Sequence, residues 1–444
     1  MEENDVSKFV AKPLHSISVP HYKNTMDSGT EIMPVPEKVL LPMIQHMGAP
    51  CEPVVKVGDL VKVGQLIGDT DAFMSAPIYS SVSGKVTSIS EFINPMGMRT
   101  PAIAIESDGE QAISEDVRPP EVHSKEDFLK AVRKSGLVGL GGAGFPTHVK
   151  LNPKDPDKVD TLIVNAAECE PFITADYREM MENPDDIMDG IKLVMHYLNI
   201  KKCIIGIENN KPRAIKLLSK MAEKERGIEV MTLKSVYPQG AEKVLIYNST
   251  KRVVGEGMIP ADVGVIPMNV SSVAFVARYI KTGMPLISRR LTVDGSAVQT
   301  PKNVMVPLGA SFQSVIDFCG GFKAEPKEVF MGGPMMGIDV FNLEYPVIKN
   351  NNAIIAFDER QAVHAKESNC IRCGRCVAAC PFNLMPAAIE KAYHLKQVDA
   401  LKGPLKVMLC MECGCCSYVC PAKRQLVATN KLAKNLVRKA TTKK

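Results

Sequence analysis

The sequence predicts a multidomain protein of α/β plus α+β class, and three observations lead to this prediction. The chain has 444 residues, about three times the length of a typical domain. Its hydrophobic fraction of 45% and charged fraction of 23% are ordinary for globular proteins, which excludes disordered and fibrous classes. The hydropathy pattern changes along the chain, from short alternating strands to alternating strands and helices, and then to a cysteine-rich block.

The first unit is predicted from residues 54–68, VVKVGDLVKVGQLIG, in which apolar and polar residues alternate and glycines stand at turns. With residues 75–89, SAPIYSSVSGKVTSI, this segment resembles half of a lipoyl or biotinyl domain, which is a barrel-sandwich hybrid. Such carriers attach their group to a lysine in an exposed hairpin, but residues 68–72, GDTDA, contain none. We expect an N-terminal extension at 1–28 and a barrel-sandwich domain at 29–119 without carrier activity.

An α/β domain is predicted for residues 120–285, because strands and helices alternate there as they do in parallel sheets. The pattern predicts helices at 125–135, 185–198 and 211–225, with strands at 160–165 and 203–208.

Short strands with glycine turns return after residue 285 and predict a β-grasp domain at 286–349. The cysteine block follows as a two-cluster domain at 350–425, and a basic tail is predicted at 426–444. Each of these boundaries is set by a change in the sequence pattern.

Nine of the thirteen cysteines fall between Cys370 and Cys420. They form two runs of the pattern C-x2-C-x2-C-x3-C-P, with each member of the second run forty positions after its counterpart. In two-cluster ferredoxins the fourth cysteine of each run ligates the other 4Fe–4S cluster. The predicted ligands are Cys370, Cys373, Cys376 and Cys420 for one cluster, and Cys410, Cys413, Cys416 and Cys380 for the other.

Two alternatives to this ligand assignment stay open. Zinc also binds paired cysteines, although zinc ribbons place their two C-x2-C pairs across a longer gap. Cys415 is interpreted as a spare thiol beside a ligand, and an exchange of roles with Cys416 is the alternative.

The charge is +5 overall, but residues 423–444 hold eight basic and no acidic residues, so the remainder carries −3. This distribution and the absence of tryptophan argue against nucleic-acid binding. It indicates an acidic partner or an anionic membrane surface, with a solvated helix as the alternative. Met1 is followed by Glu2, Glu3 and Asp5, and no run approaches the roughly 18 apolar residues of a membrane span. We expect a cytoplasmic chain that does not itself cross a membrane.

Residues 139–144, GLGGAG, match the dinucleotide-binding pattern G-x-G-x-x-G, but their context differs from it. The segment follows a predicted helix and runs into Phe145 and Pro146, whereas the fingerprint follows a strand and opens a helix. The glycines still allow backbone N–H groups to approach a phosphate or a planar ring closely. A structural turn is the alternative for a glycine loop taken alone.

Four segments resemble, in order, the flavin-site segments of the NADH-oxidising flavoprotein subunit of respiratory complex I. They are GLGGAGFPTHVK (139–150), NAAECEP (165–171), YPQGAEK (237–243) and PMN (267–269).

With the lipoyl-like segment, the β-grasp-like stretch 288–309, GGPMMG at 332–337 and the paired cysteine motifs, residues 10–425 resemble C subunits of the Rnf complex. That membrane complex exchanges electrons between ferredoxin and NAD while moving Na⁺ or H⁺.

The resemblance implies an FMN site in the α/β domain. Gly139, Gly141, Gly142 and Gly144 would line the FMN, and Lys150 would lie near its phosphate or ribityl chain. Asn165, Glu168 and Glu170 would face the isoalloxazine and nicotinamide region, with the two glutamates as catalytic candidates. Tyr237, Gly240, Glu242 and Asn269 would close the pocket.

Two features of residues 165–168 argue against assigning them the complex I roles directly. Complex I has an acidic residue where this chain has Ala167, which affects hydrogen bonding around the flavin. Asn165 and Glu168 could also cap a following turn.

The resemblance implies that the chain is a subunit of a ferredoxin:NAD⁺ oxidoreductase, with NAD(H) as its substrate and the other Rnf subunits as its partners. Ferredoxin would exchange electrons with this chain only indirectly. A flavin is expected because NAD(H) exchanges two electrons at once and a 4Fe–4S cluster passes one. One alternative is a soluble protein like the cobalamin reductase of propanediol-using microcompartments, whose cysteine motifs are expected in mid-chain. The other is a flavin-free electron-transfer adapter, which flavin content would identify.

Overall fold

The computed structural model describes residues 15–95, 97–363 and 365–442. The acidic residues near Met1, on which the signal-peptide argument rests, lie outside these ranges, as do Lys443 and Lys444 of the basic segment. Within the described ranges, none of the helices is both long enough and apolar enough to cross a bilayer.

The N-terminal unit consists of two small antiparallel sheets packed face to face. Val39, Leu41, Ile103 and Ile105 are fully buried in its core. In the segment 54–68, from which the unit is predicted, Val55, Val61, Val63 and Ile67 are buried, whereas Val54, Val57 and Leu60 are exposed. The strands in this part of the chain are β1 (Thr30–Ile32), β2 (Lys38–Pro42), β3 (Glu52–Pro53), β4 (Leu60–Val61), β5 (Leu66–Asp69), β6 (Ile78–Tyr79), β7 (Gly84–Ile93) and β8 (Arg99–Ser107). One sheet has the order β2-β8-β7-β4 and the other β3-β5-β6.

The next unit is a parallel four-stranded sheet flanked by helices. Its strands are β9 (Thr161–Ala166), β10 (Lys202–Glu208), β11 (Ile228–Leu233) and β12 (Val265–Asn269). Its helices are α1 (Lys125–Lys134), α2 (Thr147–Lys150), α3 (Ala175–Glu182), α4 (Pro184–Tyr197), α5 (Pro212–Ala222), α6 (Glu242–Thr250) and α7 (Val270–Thr282), with 3₁₀ turns at Pro156–Lys158 and Pro260–Val263. The strand order is β11-β10-β9-β12, and every pairing is parallel. The sequence pattern did not predict β11, β12, α2, α3, α6 or α7. Helix α3 is only eight residues long and half of it is buried, which hides its helical periodicity.

The third unit is a six-stranded mixed sheet with one helix. It contains β13 (Ser288–Asp294), β14 (Lys302–Pro307), α8 (Phe312–Phe318), β15 (Glu328–Met331), β16 (Ile338–Asp339) and β17 (Ala353–Phe357). The strand order is β1-β14-β13-β17-β15-β16.

Two strands of this sheet lie outside the range 286–349 assigned to it from the pattern. β1 pairs in parallel with β14, and β17 lies between β13 and β15. All five residues of β17 are buried, because the strand is central in the sheet. Such non-local pairing leaves no mark on the local sequence pattern.

The C-terminal unit is helical and visibly duplicated. It contains α9 (Arg375–Ala378), α10 (Pro386–His394), α11 (Val398–Lys402), a 3₁₀ turn at Val407–Leu409, α12 (Cys415–Tyr418) and α13 (Leu426–Thr442). The helices α12 and α13 begin forty residues after α9 and α10, matching the repeat of the cysteine runs. The segment expected to be a basic tail therefore forms α13, whose inner residues Ala433 and Val437 pack with Ile389 and Leu401.

Buried polar contacts join the units. Arg133 of α1 donates two hydrogen bonds to the carboxylate of Asp69, at 2.8 and 3.1 Å, in the hairpin where a carrier domain would have its lysine. The fully buried Lys349 donates to the carbonyls of Pro77 and Gly136, at 2.6 and 2.8 Å. The barrel-sandwich unit is thus fixed against the α/β and β-grasp units.

Candidate functional site

The candidate site lies at the carboxyl edge of the parallel sheet. β9 is central, with β10 on one side and β12 on the other, so connections from β9 and its neighbours leave in opposite directions. In open α/β sheets, ligands bind in the crevice that forms at such a point. The ends of β9 and β12 and the segments that follow β9 and β11 carry seven of the twelve residues predicted for the flavin site, which are Asn165, Glu168, Glu170, Tyr237, Gly240, Glu242 and Asn269.

The glycine loop forms a tight turn beside this edge. The N–H of Gly139 donates to the carbonyl of Phe145 at 2.9 Å, and the N–H of Leu140 donates to Ser272 Oγ at 3.0 Å. The loop apex, residues 141–143, is exposed. The loop thus follows helix α1 and not a strand, as the sequence context indicated.

Packing against Asn269 requires a glycine at Gly141, whereas no packing contact requires one at Gly142. A Cβ on Gly141 would lie 2.6 Å from Asn269 Nδ2, closer than two such atoms can approach. A Cβ on Gly142 would meet nothing within 4 Å, so its surface is open. Gly141 is therefore needed for packing, whereas Gly142 leaves open space that a ligand could approach.

Glu168 follows β9 in a left-handed backbone conformation, with a φ of 52°. Its Oε1 accepts hydrogen bonds from the N–H groups of Asp176 and Tyr177, at 2.6 and 3.3 Å, at the start of α3. Oε1 of Glu168 therefore caps the first turn of α3, which is the alternative role given to this residue above. The other oxygen, Oε2, is buried and has no hydrogen-bond partner among the described residues.

Two buried lysines hold the segment that carries Glu168. Lys23, from the N-terminal arm (residues 15–28), donates to the carbonyls of Glu168, Glu170 and Ile173, at 2.9, 2.9 and 2.6 Å. Lys211, which follows β10 and is fully buried, donates to the carbonyl of Ala167 at 2.6 Å. Burial lowers the pKa of Lys23 and raises the pKa of Glu168, while the attraction between their charges opposes both shifts.

Asn269 and Asp176 connect the glycine loop to this segment. The side chain of Asn269 accepts hydrogen bonds from the first N–H groups of α7 and donates to Asp176 Oδ2 at 2.7 Å. Asp176 also accepts a hydrogen bond from Ser271 Oγ at 2.6 Å. Burial raises the pKa of Asp176, while these two donors oppose the shift.

Two further pairs of expected site residues are in contact. Asn165 donates to the carbonyl of Gly240 at 2.8 Å, which brings the ends of β9 and of the β11–α6 connection together. Lys150 forms an ion pair with Glu242 at 3.0 Å. Both of these side chains are partly exposed, so the pair lies at the mouth of the crevice.

Glu170 and Tyr237 point toward the cysteine-rich unit. Glu170 Oε2 accepts a hydrogen bond from the N–H of Met335 at 3.1 Å, in the loop at 332–337, and burial raises the pKa of Glu170 to about 7. The buried hydroxyl of Tyr237 donates to the carbonyl of Cys413 at 2.8 Å. Ile17 of the N-terminal arm pairs with Tyr237 by two backbone hydrogen bonds, of 2.8 and 2.9 Å. Tyr237 thus joins the carboxyl edge of the sheet to a cysteine loop.

The residues at this edge fit an FMN. The exposed glycine apex supplies backbone N–H groups without side chains, and Lys150 supplies a cation at the mouth of the crevice. The unpartnered Oε2 of Glu168 and Oε1 of Glu170 are buried acceptors among the described residues, which a bound polar group could satisfy.

The first three cysteines of the second run and Cys380 line one cavity. Cys380, Cys410, Cys413 and Cys416 all contribute to its wall, together with Cys415. This set of soft thiols fits an iron–sulfur cluster. The Cys415 thiol contacts Cys413 and lowers the pKa of the Cys413 thiol. Because Cys415 and Cys416 both line the cavity, the exchange between them stays open.

The remaining motif cysteines lie on the outer side of the unit. Cys370 and Cys373 stand in the exposed run 365–375, and Cys376 lies near Cys420, whose charge contributes to the raised pKa of the Cys376 thiol. Burial is the larger cause of that shift. The grouping of Cys376 with Cys420 follows the crossed pattern of two-cluster ferredoxins.

Helix α13 supports the inner cysteine set with two side chains. Asn430 Nδ2 donates to Cys410 Sγ at 3.6 Å, and Lys434 Nζ donates to the Cys410 carbonyl at 2.8 Å and to Glu412 Oε1 at 2.6 Å. Lys434, counted above as tail charge, is thus buried beside a cysteine ligand.

Sequence reasoning missed Lys23, Lys211, Asp176, Asn430 and Lys434. Lys211 had a usable signal, since the polar run Glu208 to Lys211 follows a predicted strand at the carboxyl edge. The contacts of Lys23 and Lys434 join residues far apart in the chain, and no local pattern marks them. The isolated Cys51, Cys203 and Cys319 are buried, as expected, whereas Cys169 is half-buried and accepts a hydrogen bond from the N–H of Gly240.

The fold and the two sites define a class: a flavin-binding α/β domain joined to a ferredoxin-type unit in one electron-transfer chain. Four family models match in the same order, and they cover each predicted unit. They are described as RnfC barrel sandwich hybrid domain (14–110), Nuo51 FMN-binding domain (132–278), SLBB domain (290–339) and 4Fe-4S dicluster domain (362–421). The predicted fold class is confirmed, and FMN and 4Fe–4S clusters are the cofactors of these domains.

Curated relatives assign the family. The chain is 46% identical over 372 residues to the C subunit of the proton-translocating ferredoxin:NAD(+) oxidoreductase complex of Clostridium ljungdahlii, covering 83% of this chain and 81% of the relative. It is 44% identical over 402 residues to the C subunit of the Na(+)-translocating ferredoxin:NAD(+) oxidoreductase complex of Acetobacterium woodii, covering 90% of each. The C subunit of the ion-translocating oxidoreductase complex of Rhodobacter capsulatus is 37% identical over 410 residues, which cover 89% of this chain and 78% of that relative.

The chain belongs to the family of Rnf complex C subunits. The resemblance seen in the sequence is thereby confirmed, and the alternative of a cobalamin reductase-like protein is not supported. Other Rnf subunits are the partners of this family.

Proposed function

We propose that this chain exchanges hydride with NAD(H) at an FMN and passes single electrons through two 4Fe–4S clusters to or from the other subunits of a ferredoxin:NAD⁺ oxidoreductase complex. The relatives named above differ in the translocated ion, one being proton-translocating and the other Na⁺-translocating. Ion movement is therefore assigned to the complex and to its other subunits.

The observation that carries the proposal is the hydrogen bond from Tyr237 to Cys413. It supports a direct connection between the candidate flavin edge and the inner cysteine cavity, without an intervening layer of protein. A bound flavin would accept two electrons together and release them singly, which is the conversion needed between a nicotinamide and iron–sulfur clusters.

The chain's own residues would bind and orient the reactants. We assign the glycine loop and Lys150 to the phosphate and ribityl end, and Asn165, Glu168 and Glu170 to the ring and nicotinamide end. The buried oxygens of the two glutamates would accept hydrogen bonds from bound ligands. Lys23 and Lys211 would keep the carbonyls of residues 167–173 in place and hold this segment rigid.

The ligand sets are proposed as crossed. Cys410, Cys413, Cys416 and Cys380 would hold an inner cluster, and Cys370, Cys373, Cys376 and Cys420 an outer one. The cavity lined by Cys380 and the first three cysteines of the second run supports this choice over two sets made from consecutive cysteines.

The proposed division into units follows the predicted order with one adjusted boundary. The β-grasp unit would extend past residue 349 to Phe357, since β17 completes its sheet. We propose that the chain associates peripherally with the cytoplasmic face of the bacterial cell membrane, where NAD(H) and ferredoxin are available.

The test is anaerobic purification followed by titration with NADH, with flavin bleaching followed in the visible spectrum and the clusters by EPR. We expect about one FMN and two 4Fe–4S clusters per chain, with NADH bleaching the flavin and then reducing clusters. Iron without flavin, and no response to NADH, would instead identify the flavin-free adapter.

The crossed ligand sets are tested by Cys380→Ala and Cys420→Ala. Cys380→Ala is expected to remove the EPR signal of the inner cluster, and Cys420→Ala that of the outer cluster. Uncrossed sets would produce the opposite assignment, because each variant would then remove the cluster of its own run.

A further inference from the structure

A groove opens beside the outer cysteine motif. Its volume is about 560 Å³, and its wall is formed by Ser16 and Ile17 of the N-terminal arm and by the loops around α9 and α12. Cys420, a proposed ligand of the outer cluster, lies in this wall with Arg375 and Lys423. The groove therefore gives access from solvent to a cysteine ligand.

Two exposed cations, Arg375 and Lys423, line the groove, and two more, Lys366 and Arg372, lie in the cysteine loop that precedes α9. Lys366, Arg372, Arg375 and Lys423, here called the basic rim, are all exposed, and none of them pairs with a carboxylate in the described part of the chain. Other cations of the same unit are paired, since Arg424 binds Glu390 at 2.8 Å and Lys434 binds Glu412.

Backbone contacts bring the members of the basic rim to one face. The N–H of Ser368 donates to the carbonyl of Ala422 at 3.0 Å, and the side chain of Arg424 donates to the carbonyl of Ser368 at 3.1 Å. The loop that carries Lys366 therefore lies against the loop that carries Lys423.

The rim also exposes apolar side chains. Ile371 is 67% exposed between two cysteines of the outer motif, and Tyr418 is 49% exposed in the groove wall. Aromatic residues and arginine are enriched at protein interfaces, and an apolar centre within a charged edge is their usual arrangement. A surface made for anionic lipid instead gathers its basic residues in one continuous segment beside a membrane span or on one amphipathic helix, whereas the cations of the rim come from two separate segments of the chain.

We infer that the basic rim and its groove dock an acidic protein surface of the redox partner that exchanges electrons with the outer cluster. This inference rests on the proposed function, because it takes the outer cluster as the point where electrons enter or leave the chain. Unpaired cations at the rim would attract an acidic partner and speed its encounter, with a strong dependence on salt.

The experiment uses the anaerobically purified full chain with its cofactors and membranes from cells that lack only this chain. Binding is measured by co-sedimentation at low and at high salt for the wild type and for Arg375→Glu/Lys423→Glu. We expect the double variant to bind at least tenfold more weakly at low salt, with the difference shrinking at high salt. The matched control is Lys431→Glu/Lys439→Glu, the same charge change on α13, which is expected to bind within twofold of the wild type.

Two results would overturn the inference. One is equal binding of the rim variant and the wild type to the membranes. The other is an equal loss of binding to protein-free vesicles of phosphatidylglycerol and phosphatidylethanolamine in a 3:7 ratio, which would make the rim a lipid site. NADH bleaching of the flavin is recorded for every preparation, and its failure in the wild type would refute the proposed function separately from the docking result.

Discussion

Tyr237 shows how much a single side chain contributes to the connection between the two cofactor regions. The resemblance implied that it would close the flavin pocket, whereas its hydroxyl contacts the carbonyl of Cys413. The ring is buried with Ile17 and Val19 of the N-terminal arm and with Ala379 at the end of α9, so packing from two other segments fixes its position. Hydrogen bonds near an iron–sulfur cluster help to set its reduction potential.

Tyr237→Phe is expected to lower the potential of the inner cluster, because the O–H dipole that stabilises added negative charge is removed. We expect a decrease of about 30 mV, which is roughly threefold in a one-electron equilibrium constant. An EPR-monitored redox titration measures it. The control is Tyr393→Phe, in the cysteine-rich C-terminal unit. An unchanged potential of the inner cluster in Tyr237→Phe would show that Tyr237 serves packing alone.

The neighbouring glycines of the loop provide a second test at this scale. Gly141→Ala forces a Cβ against Asn269, the cap of α7, and is expected to cost about 1 to 3 kcal/mol and to lower Tm by several degrees. Gly142→Ala meets no protein atom within 4 Å and is expected to leave the Tm of the flavin-free protein unchanged while weakening FMN retention.

The measurements for this pair are differential scanning calorimetry and the FMN content after gel filtration. If Gly142→Ala retained FMN as firmly as the wild type, the loop apex would not contact the flavin. If both variants melted like the wild type, the contact between Gly141 and Asn269 would be unimportant for the fold.

At the level of elements, α13 carries both buried and exposed basic residues, and its composition does not distinguish them. Its charge indicated a tail for an acidic partner or a membrane, yet Lys434 faces inward onto the Cys410 loop while Lys439 is exposed. The number of basic residues in the segment can be read from the sequence. The helix face on which each residue lies decides whether its charge is exposed to a partner or a membrane. The basic character of the segment is therefore partly structural.

Lys434→Met is expected to destabilise the inner cluster. It leaves the Cys410 carbonyl and the Glu412 carboxylate without their cation, and removing one partner of a charged hydrogen bond costs about 1.5 to 3 kcal/mol. The expected result is a faster loss of the inner cluster's EPR signal on exposure to air. Lys439→Met is the matched control on the outer face, and equal cluster lifetimes in the two variants would refute a supporting role for Lys434.

At the level of the whole molecule, the junction between the barrel-sandwich and α/β units depends on neutral buried groups. His46 is buried at this junction, with Nε2 at 2.9 Å from the carbonyl of Ala49, and the adjacent Met47 donates its N–H to the carbonyl of Gly144 in the glycine loop. Burial and then the charge of Lys349 lower the pKa of His46 to about 4, from an ordinary value near 6.5.

This shift makes the junction sensitive to acid. Between pH 6.5 and 4 the unfolded chain binds a proton at His46 that the folded chain does not, so stability falls as the pH falls through this window. The full shift corresponds to about 3 kcal/mol. We expect Tm to fall from pH 6.5 to 4 less steeply in His46→Gln than in the wild type, with His123→Gln on the surface as control. Identical pH profiles for all three proteins would exclude His46 as a contributor.

The sequence alone determined the features that depend on spacing within one segment. The two cysteine runs, forty residues apart, predicted a duplicated cluster unit because ligands on one tight loop must have fixed separations. Alternating strands and helices predicted the parallel sheet, and with it the edge where Asn165 stands. Local periodicity carries this information because each pattern reflects which face of its own strand or helix is buried.

Only the tertiary structure decided which distant segments meet. The N-terminal arm brings Lys23 to the carbonyls around Glu168, 145 residues away, and Tyr237 reaches Cys413 across 176 residues. β17 joins its sheet beyond the expected boundary for the same reason. Such contacts arise when several units bury their surfaces together, and that packing is a property of the whole chain which no single segment encodes.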